Sequence, residues 1–562
     1  MSTYPFDSIT YTYSGSTASV TSFTGTTTAT ILSSFDVSGV TYSVTSIGAS
    51  AFLNKTALTS VSIPSSVTSI GLQAFKSCTN LTSVTIPDSV TTIGANAFQT
   101  CTGLTSVTLP TNASFTTIES FTFDSCGLTS VTIPDSVTSI GAQAFETCTA
   151  LASVTLGSSV ATIVDKAFNQ CSALTSIVLP DSVTTIGVRG FRACSSLTSV
   201  TLPTNVSFVT LETLIFQSCT SLTSITIPSS VKTINSQAFL SCTKLASIVI
   251  PDSVTAAGGS VFQGCSLLAS VTLPTNESFT ILPSYMFTSC SNLTSVTIPD
   301  YVTTIGTNAF ESCAKLASVT LPNNASFTTI QNSTFNGCFA LASITIPSSV
   351  RTLGNQAFEN CGSFTSITIP SSVTNIGIKT FQGCAGLTSV VIPDSVATIG
   401  ETAFRSCTLL ASVTLPTNTL FTTIGITTFQ SCTSLTSVNI PSSVTTINSQ
   451  AFLNCSKLPS IVIPDSVTAT GTSVFQGCSL LASVTLPTNT SFTTIQSYTF
   501  SGCSKLASIT IPIYVTTIGT NVFENCGLTS VTVPRSVTSI GNSSFLSCTS
   551  LTNVYFVKTS LL

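Results

Sequence analysis

The sequence predicts a mainly β solenoid, in which 22 short coils of 22–25 residues stack behind a β-rich N-terminal cap. Three observations predict this fold class. The 21 cysteines recur at intervals of 22, 23 or 25 residues between Cys78 and Cys548. The same apolar pattern fills each interval, and it is also present 23 residues before Cys78, where Lys55 takes the cysteine position. A unit this short cannot bury its own apolar side chains, so neighbouring coils have to cover one another.

The first half of each coil contains two short strands, as residues 81–93 illustrate. Residues 83–86 alternate polar residues with β-branched apolar ones, which predicts a half-buried strand, and Pro87 ends it because proline has no amide to donate. Val90 and Ile93 form a second apolar pair on a short extended stretch. Stacking of such coils predicts parallel β-sheet faces along the array.

The second half of the coil returns the chain to the next strand. Gly94 permits a turn, and Ala97, Phe98 and Cys101 have the i, i+1, i+4 spacing of one helical turn that faces inward. We therefore expect a short helical turn in every coil.

This unit resembles the BspA-type leucine-rich repeat, whose pattern is a strand L-x-x-[IV]-x-[IL]-P, a second strand that ends in [IL]-G, and A-F-x-x-C. The resemblance covers roughly residues 47–556, and residues 1–46 resemble the β-rich N-terminal cap of that family, with strands at 9–13 and 18–21. It implies a leucine-rich repeat solenoid of the kind found in surface antigens and adhesins of bacteria and protists. It also implies a location at the cell surface or outside the cell.

The predicted domain organisation is a cap at residues 1–46, a repeat array at 47–556 and a C-terminal tail at 557–562. The 25-residue intervals recur with an offset of 212 or 213 residues, and the segment 234–240 recurs as 447–453. These matches predict a duplicated block of nine coils, about 213 residues long. Growth by blocks suits a structural surface element better than a single active site.

Composition excludes several classes of function. Only 6% of the residues are charged, the formal net charge is -4, and no basic stripe is present, so nucleic acid is not an expected partner. No apolar run reaches the roughly 18 residues of a membrane span. The first seven residues show no signal peptide, so an intracellular or virion-associated location stays open beside the surface location.

The sequence predicts no catalytic residue, no cofactor and no metal site. It contains no histidine to act as a base, and one cysteine per coil does not match the paired cysteines of a zinc site. The cysteines are expected to form a buried ladder of free thiols, with some disulfide bridges as the alternative. The aspartates of the Pro-Asp turns are expected to cap their own backbone, with weak cation binding as the alternative. They are Asp88, Asp135, Asp181, Asp252, Asp300, Asp394 and Asp465.

Two groups of residues are candidate sites. Loops of the long coils carry N-glycosylation sequons, although so many serines and threonines also produce sequons by chance. The candidate glycosylation sites are Asn112, Asn205, Asn276, Asn324 and Asn489. The second group flanks the inward residue of the main strands, where side chains i and i+2 share one face and stacking aligns them in two ladders of hydroxyl groups. This candidate interaction face comprises Ser83, Thr85, Ser106, Thr108, Ser130, Thr132, Ser153, Thr155, Ser318, Thr320, Ser483 and Thr485.

Together these features predict a non-enzymatic structural or adhesion protein that makes multivalent, shallow contacts with proteins or glycans. A merely solvated β face is the plain interpretation of the hydroxyl ladders. An ice-binding protein that uses those ladders and an intracellular or virion scaffold are also compatible with the sequence. The last residues, 551–562, are apolar and end without a cap, which predicts a homo-oligomer or a filament formed by self-association.

Overall fold

Parallel coils of short strands form two compact units in the computed structural model, which describes residues 2–557. The units divide between Phe279 and Thr280, and each is a solenoid of stacked coils. The predicted mainly β solenoid is therefore confirmed in both units. The predicted domain boundaries and the block duplication stay predictions, and residues 558–562 of the predicted tail lie outside the described residues.

The first six strands of unit 1 lie at its N-terminal end, where all but the fourth join one sheet. They are β1 (Ser2–Phe6), β2 (Ile9–Ser14), β3 (Thr17–Phe23), β4 (Thr28–Thr30), β5 (Ser34–Val37) and β6 (Val40–Ile47). Strand β2 pairs antiparallel with both β1 and β3, and β6 pairs with β3 in parallel. The strands predicted at 9–13 and 18–21 lie within β2 and β3. Ile47 of β6 pairs with Ile70 in the coil of Cys78, so the second strands of the coils continue the N-terminal sheet.

Each later coil contributes one or two strands. In unit 1 they are β7 (Ser60–Ser62), β8 (Ser69–Ile70), β9 (Ser83–Thr85), β10 (Thr92–Ile93), β11 (Ser106–Thr108), β12 (Thr117–Ile118), β13 (Ser130–Thr132), β14 (Ser139–Ile140), β15 (Ser153–Thr155), β16 (Thr162–Ile163), β17 (Ser176–Val178), β18 (Thr185–Ile186), β19 (Ser199–Thr201), β20 (Thr210–Leu211), β21 (Thr233–Ile234), β22 (Ser247–Val249), β23 (Ala256–Ala257) and β24 (Ser270–Thr272). In unit 2 they are β25 (Ile281–Leu282), β26 (Ser295–Thr297), β27 (Thr304–Ile305), β28 (Ser318–Thr320), β29 (Thr329–Ile330), β30 (Thr352–Leu353), β31 (Asn375–Ile376), β32 (Ser389–Val391), β33 (Thr398–Ile399), β34 (Ser412–Thr414), β35 (Thr423–Ile424), β36 (Ser437–Val438), β37 (Thr446–Ile447), β38 (Ser460–Val462), β39 (Ala469–Thr470), β40 (Ser483–Thr485), β41 (Thr494–Ile495), β42 (Thr517–Ile518), β43 (Ser530–Val533), β44 (Ser539–Ile540) and β45 (Asn553–Phe556).

The predicted helical turn is wrong, because no residue between 2 and 557 is helical. The Ala-Phe-x-x-Cys segment instead forms consecutive turns, in which the Cys101 N–H donates to the carbonyl of Phe98 at 3.1 Å. Asn96 and Thr100 take left-handed φ angles of 58° and 61°, and the Thr100 N–H donates to the carbonyl of Asp124 in the next coil at 2.8 Å. A helical turn would direct these N–H groups along its own axis, whereas the observed turns use alternate N–H groups to join neighbouring coils.

Phenylalanines form the centre of each core. In unit 1 the rings stack in sequence from Phe52 to Phe262, and in unit 2 from Phe287 to Phe545, one ring for each coil. Neighbouring ring centroids lie 4.7–5.9 Å apart in these stacks. Because each ring contacts only the rings of adjacent coils, the core is a column of nearest-neighbour contacts.

Candidate interaction face

The cysteine column is a ladder of free thiols, all of them buried except the partly exposed Cys548. The Cys101 thiol donates to the carbonyl oxygen of Phe75 in the preceding coil at 3.1 Å, and the same contact recurs along both units. The Phe75 carbonyl also accepts from the N–H of Cys78, so the thiol supplies a second donor to a buried acceptor. Burial raises the pKa of the Cys194 thiol to about 12, which keeps it protonated and unreactive. The described residues contain no cluster of three or more histidines, cysteines or acids that would hold a metal.

The aspartates of the Pro-Asp turns hydrogen bond to the following coil and not to their own turn. Oδ1 of Asp88 accepts from the N–H of Thr111 at 2.7 Å and from its hydroxyl at 3.0 Å. The backbone and hydroxyl donors of Thr111 lower the pKa of Asp88, and Ser158 lowers the pKa of Asp135 in the same way. The expectation of local capping is therefore wrong, because stacking brings the next coil within reach of the carboxylate. These acids join coils.

The sequon asparagines brace the long loops. Nδ2 of Asn205 donates to the carbonyls of Asp181 and Val183, both at 2.7 Å, and Oδ1 of Asn205 accepts from the N–H of Ser207 at 2.9 Å. Asn276, Asn324 and Asn489 make the same three kinds of contact, and Asn112 makes two of them. The atom that a glycan would modify is thus engaged with the preceding coil. Glycosylation at these five residues stays a prediction.

All twelve residues of the candidate interaction face are exposed on the main strands. Their registers align serine with serine and threonine with threonine, as Ser83 does with Ser106 and Thr85 with Thr108. Within residues 2–557 the hydroxyls of these twelve residues make no hydrogen bond to another protein group, whereas the hydroxyl of Thr82, just before β9, donates to the carbonyl of Thr59. The face therefore offers unpaired hydroxyls to a ligand or to water.

The face is not a continuous ladder in unit 1, because β11 does not pair with β13 and β15 does not pair with β17. Between β9 and β11 the N–H of Ile86 donates to the carbonyl of Thr108 at 3.0 Å, but in the described structure Leu109 and Thr132 make no equivalent bond. A shallow groove opens at each gap, with a volume of about 310 Å³ at β11/β13 and about 470 Å³ at β15/β17.

The two grooves bring half of the predicted face residues together. Ser106, Thr108, Ser130 and Thr132 line the first groove, and Ser153 and Thr155 line the second. The lining residues of both grooves are uncharged, and their apolar walls include Val107, Val131, Val154, Ile177 and Val178. Ser83 and Thr85 lie outside both grooves, and Ser318, Thr320, Ser483 and Thr485 belong to the faces of unit 2.

Sequence reasoning missed Ser176, Val178, Pro134 and Pro180, which also line the grooves. No signal in the sequence marks these gaps. The strand face also breaks between β7 and β9, where the coil has the common length and Pro64, whereas β34 pairs with β36 although its coil is 25 residues long.

A family model described as the BspA-type leucine rich repeat region matches residues 30–116, 116–214, 209–341, 328–425 and 422–552. A leucine-rich repeat protein from Bacteroides ovatus is similar in structure, with 27% identity, a TM-score of 0.52, and coverage of 73% of this chain and 94% of that one. A leucine rich cell surface protein from Faecalibacterium prausnitzii shares 26% identity over 74% of this chain and 94% of that one, with a TM-score of 0.35. The pneumococcal vaccine antigen PcpA shares 19% identity over 67% and 93%, with a TM-score of 0.40. A search of curated proteins returned no match.

Proposed function

Because the chain belongs to the BspA-type leucine-rich repeat family, we propose that it is a non-enzymatic adhesion protein whose strand face makes multivalent, shallow contacts with protein or glycan ligands. Family and fold point to a repeat scaffold and to no catalytic family. The single observation that carries the proposal is the pair of uncharged grooves, lined by unpaired hydroxyls, on the strand face of unit 1.

Groove chemistry limits the ligand class. Hydroxyls donate and accept hydrogen bonds, and the valine and leucine walls supply apolar contact, so a neutral ligand with both polar and apolar surface fits. An acidic or basic polymer would find no ion partner there. The formal net charge of -4 also gives no attraction for nucleic acid.

Repetition supplies avidity. Strands β13 and β15 pair with each other and separate the two grooves, so a second groove follows the first along one face. A ligand that extends along the face engages both grooves, and its second contact is then intramolecular. Weak single contacts add up to useful binding in this way.

The proposed location is the cell surface or the extracellular space, with an intracellular or virion scaffold as the alternative. Family membership supports the surface location. None of the described residues forms an apolar helix of the length that crossing a bilayer requires. Immunolabelling of intact and permeabilised cells tests the location, and mass spectrometry of native protein tests glycosylation at the five sequon asparagines.

A binding experiment with matched variants tests the adhesion proposal. The full chain is applied to arrays of neutral glycans, acidic glycans and extracellular-matrix proteins. Thr132→Glu places a charge in the first groove, whereas Thr92→Glu places the same charge at an exposed position of a different strand column. We expect Thr132→Glu to weaken binding about tenfold or more through the cost of desolvating an unpaired charge, and Thr92→Glu to leave it unchanged. Equal effects of both variants, or binding only to acidic glycans, would contradict the proposal.

Ice binding is a second candidate, favoured by the in-register serines and threonines of pairs such as β9 and β11. The gaps at β11/β13 and β15/β17 and the exposed Val178 and Val249 interrupt a regular hydroxyl lattice. Measurement of thermal hysteresis with the pure protein decides between adhesion and ice binding. A freezing point equal to that of a control protein would exclude ice binding.

A further inference from the structure

Two arginines of unit 1 occupy positions whose side chains hydrogen bond to each other in other coils. These positions are the second residue before and the first residue after the phenylalanine of the turn segment. In three coils the first side chain donates an amide N–H to the second, from Asn96 to Gln99 at 2.8 Å, from Asn308 to Glu311 at 2.8 Å and from Asn521 to Glu524 at 2.9 Å. Arg189 and Arg192 flank Phe191 in the same way. Because guanidinium groups have only donors, these two arginines cannot form the bond that the other coils form.

A lysine of the preceding coil completes a cationic cluster, which consists of Lys166, Arg189 and Arg192. Lys166 lies two residues before Phe168, at the position that corresponds to Arg189, and its N–H donates to the carbonyl of Val188 at 2.9 Å. The backbones of Lys166 and Arg189 are therefore neighbours. The 562-residue chain has only 15 lysines and arginines, so three of them in the turn segments of two adjacent coils are a local concentration of positive charge.

The three cations of the cluster are half-buried, and none forms an ion pair with a carboxylate of the described residues. Nε of Arg189 is buried and has no hydrogen-bond partner. Arg192 donates through its Nε to Oε1 of Gln217 at 2.8 Å, which leaves its two terminal nitrogens free. A half-buried charge without an acceptor lowers the stability of the folded chain, and a bound anion would offset that cost.

Two acids of the surrounding coils are engaged with uncharged donors. Oε1 of Glu146 accepts from Nδ2 of Asn169 at 2.6 Å. Oδ1 of Asp165 accepts from the N–H of Val188 at 2.8 Å. These carboxylates limit the net positive charge around the cluster without pairing with it. The surroundings therefore suit one anionic group and not a long polyanion, and the formal net charge of -4 points the same way.

We propose that the cationic cluster binds a single oxyanion group, the carboxylate or sulfate of an acidic sugar. A guanidinium group presents its N–H donors in a planar fork that matches the oxygens of such a group. An oxyanion between Arg189 and Arg192 supplies the acceptors that both side chains lack, and it removes the repulsion between their charges. That a sugar carries the oxyanion rests on the proposed function, whereas the charge of the ligand follows from the cluster itself.

The chain contains a matched segment that lacks the arginine pair. Residues 185–192 read TIGVRGFR, and residues 398–405, which lie 213 positions later, read TIGETAFR. Arg405 thus corresponds to Arg192, while Thr402 takes the place of Arg189. Because Arg405 has no second guanidinium group beside it, we expect it to contribute nothing to oxyanion binding, and it provides the control.

Ligand-observed NMR titration of the full chain tests the site with glucuronic acid and galactose 6-sulfate as probes. We expect Arg189→Gln and Arg192→Gln to weaken binding of both acidic sugars about tenfold or more, because each removes charge-assisted hydrogen bonds, and Arg405→Gln to leave it unchanged. Glutamine already occupies these positions in other coils, as Gln143 and Gln99 do, so the variants should fold, and thermal unfolding checks this. No binding of either acidic sugar, or an equal loss in Arg405→Gln, would overturn the proposal.

Two further comparisons identify the source of the oxyanion and separate this site from the grooves. Inorganic sulfate should bind more weakly than galactose 6-sulfate, and equal affinities would overturn the assignment to a sugar. Thr132→Glu changes the first groove and should leave binding of the acidic sugars unchanged. Arg192→Gln, in turn, should leave binding of neutral ligands to the grooves unchanged. Loss of acidic-sugar binding in Thr132→Glu would contradict a separate site, whereas failure of neutral ligands to bind would contradict the groove proposal alone.

Discussion

Removal of one ring from the phenylalanine column should destabilise the protein far more than removal of an exposed ring from the same coil. Phe335 is 0% exposed, and its ring lies 5.6 Å from the rings of both Phe310 and Phe358, with interplanar angles of 5° and 8°. Phe339, four residues later, is 56% exposed. Truncation of a buried phenylalanine to alanine typically costs about 3–5 kcal/mol. Two stacked ring pairs account for about 0.5–1.5 kcal/mol each within that total.

We therefore expect Phe335→Ala to lower the free energy of unfolding of unit 2 by about 3–5 kcal/mol and Phe339→Ala by about 0.5 kcal/mol or less. Urea unfolding gives the difference in free energy, and amide hydrogen exchange gives its location. Because each coil contacts only its neighbours, the loss of protection should concentrate in the coils adjacent to Phe335. Equal costs for the two variants, or a uniform loss of protection along the chain, would refute the reasoning.

The hydrogen-bonded side chains lead to two further predictions. A thiol reagent should modify Cys548 first and the other cysteines only after unfolding, because the others are buried and burial raises the pKa of thiols such as Cys194 and Cys265 to about 12. Rapid modification of most thiols under native conditions would contradict the ladder. Acid should destabilise the protein, since hydrogen bonds hold the pKa of four aspartates below its ordinary value of 3.8. The contribution of these aspartates to the free energy of unfolding is fully present above pH 3.8. It is lost as the pH falls through their lower pKa values in the folded protein. Substitution of asparagine at these positions should flatten acid unfolding curves below pH 3.8, and unchanged curves would exclude this cause. The aspartates are Asp88, Asp135, Asp181 and Asp252.

The column arrangement was predictable from the sequence, because a fixed interval between like residues forces them into register when coils stack. The strand predicted at 83–86 from alternation is observed at Ser83–Thr85, and Phe98 and Cys101, predicted to face inward from their spacing, are buried. The turn conformation did not follow, since the i, i+1, i+4 spacing fits both a helical turn and consecutive turns. The consecutive turns form because residues such as Asn96 and Thr100 adopt left-handed φ angles and donate their N–H groups to the next coil. The spacing of residues within one coil carries no information about these contacts between coils.

The candidate interaction face was predicted in composition but not in shape. Alternation placed Ser130 and Thr132 on the exposed side of their strand, as found. The grooves beside β13 and β17 lie where neighbouring main strands do not pair. Whether the backbone groups of neighbouring coils meet depends on the path of the chain, and a pattern of apolar and polar residues does not report that path.

Cross-linking on the strand face tests the in-register stacking of coils most directly. Thr85 and Thr108 are register partners on β9 and β11, whereas Thr132 lies one coil further along. Cysteines introduced at exposed positions react in the folded protein while the native thiols stay buried. With a short bismaleimide, Thr85→Cys/Thr108→Cys should give an intramolecular cross-link in peptide mass spectrometry, and Thr85→Cys/Thr132→Cys should give little or none. Equal cross-linking of both pairs, or none for the register partners, would contradict the stacked columns on which the binding face depends.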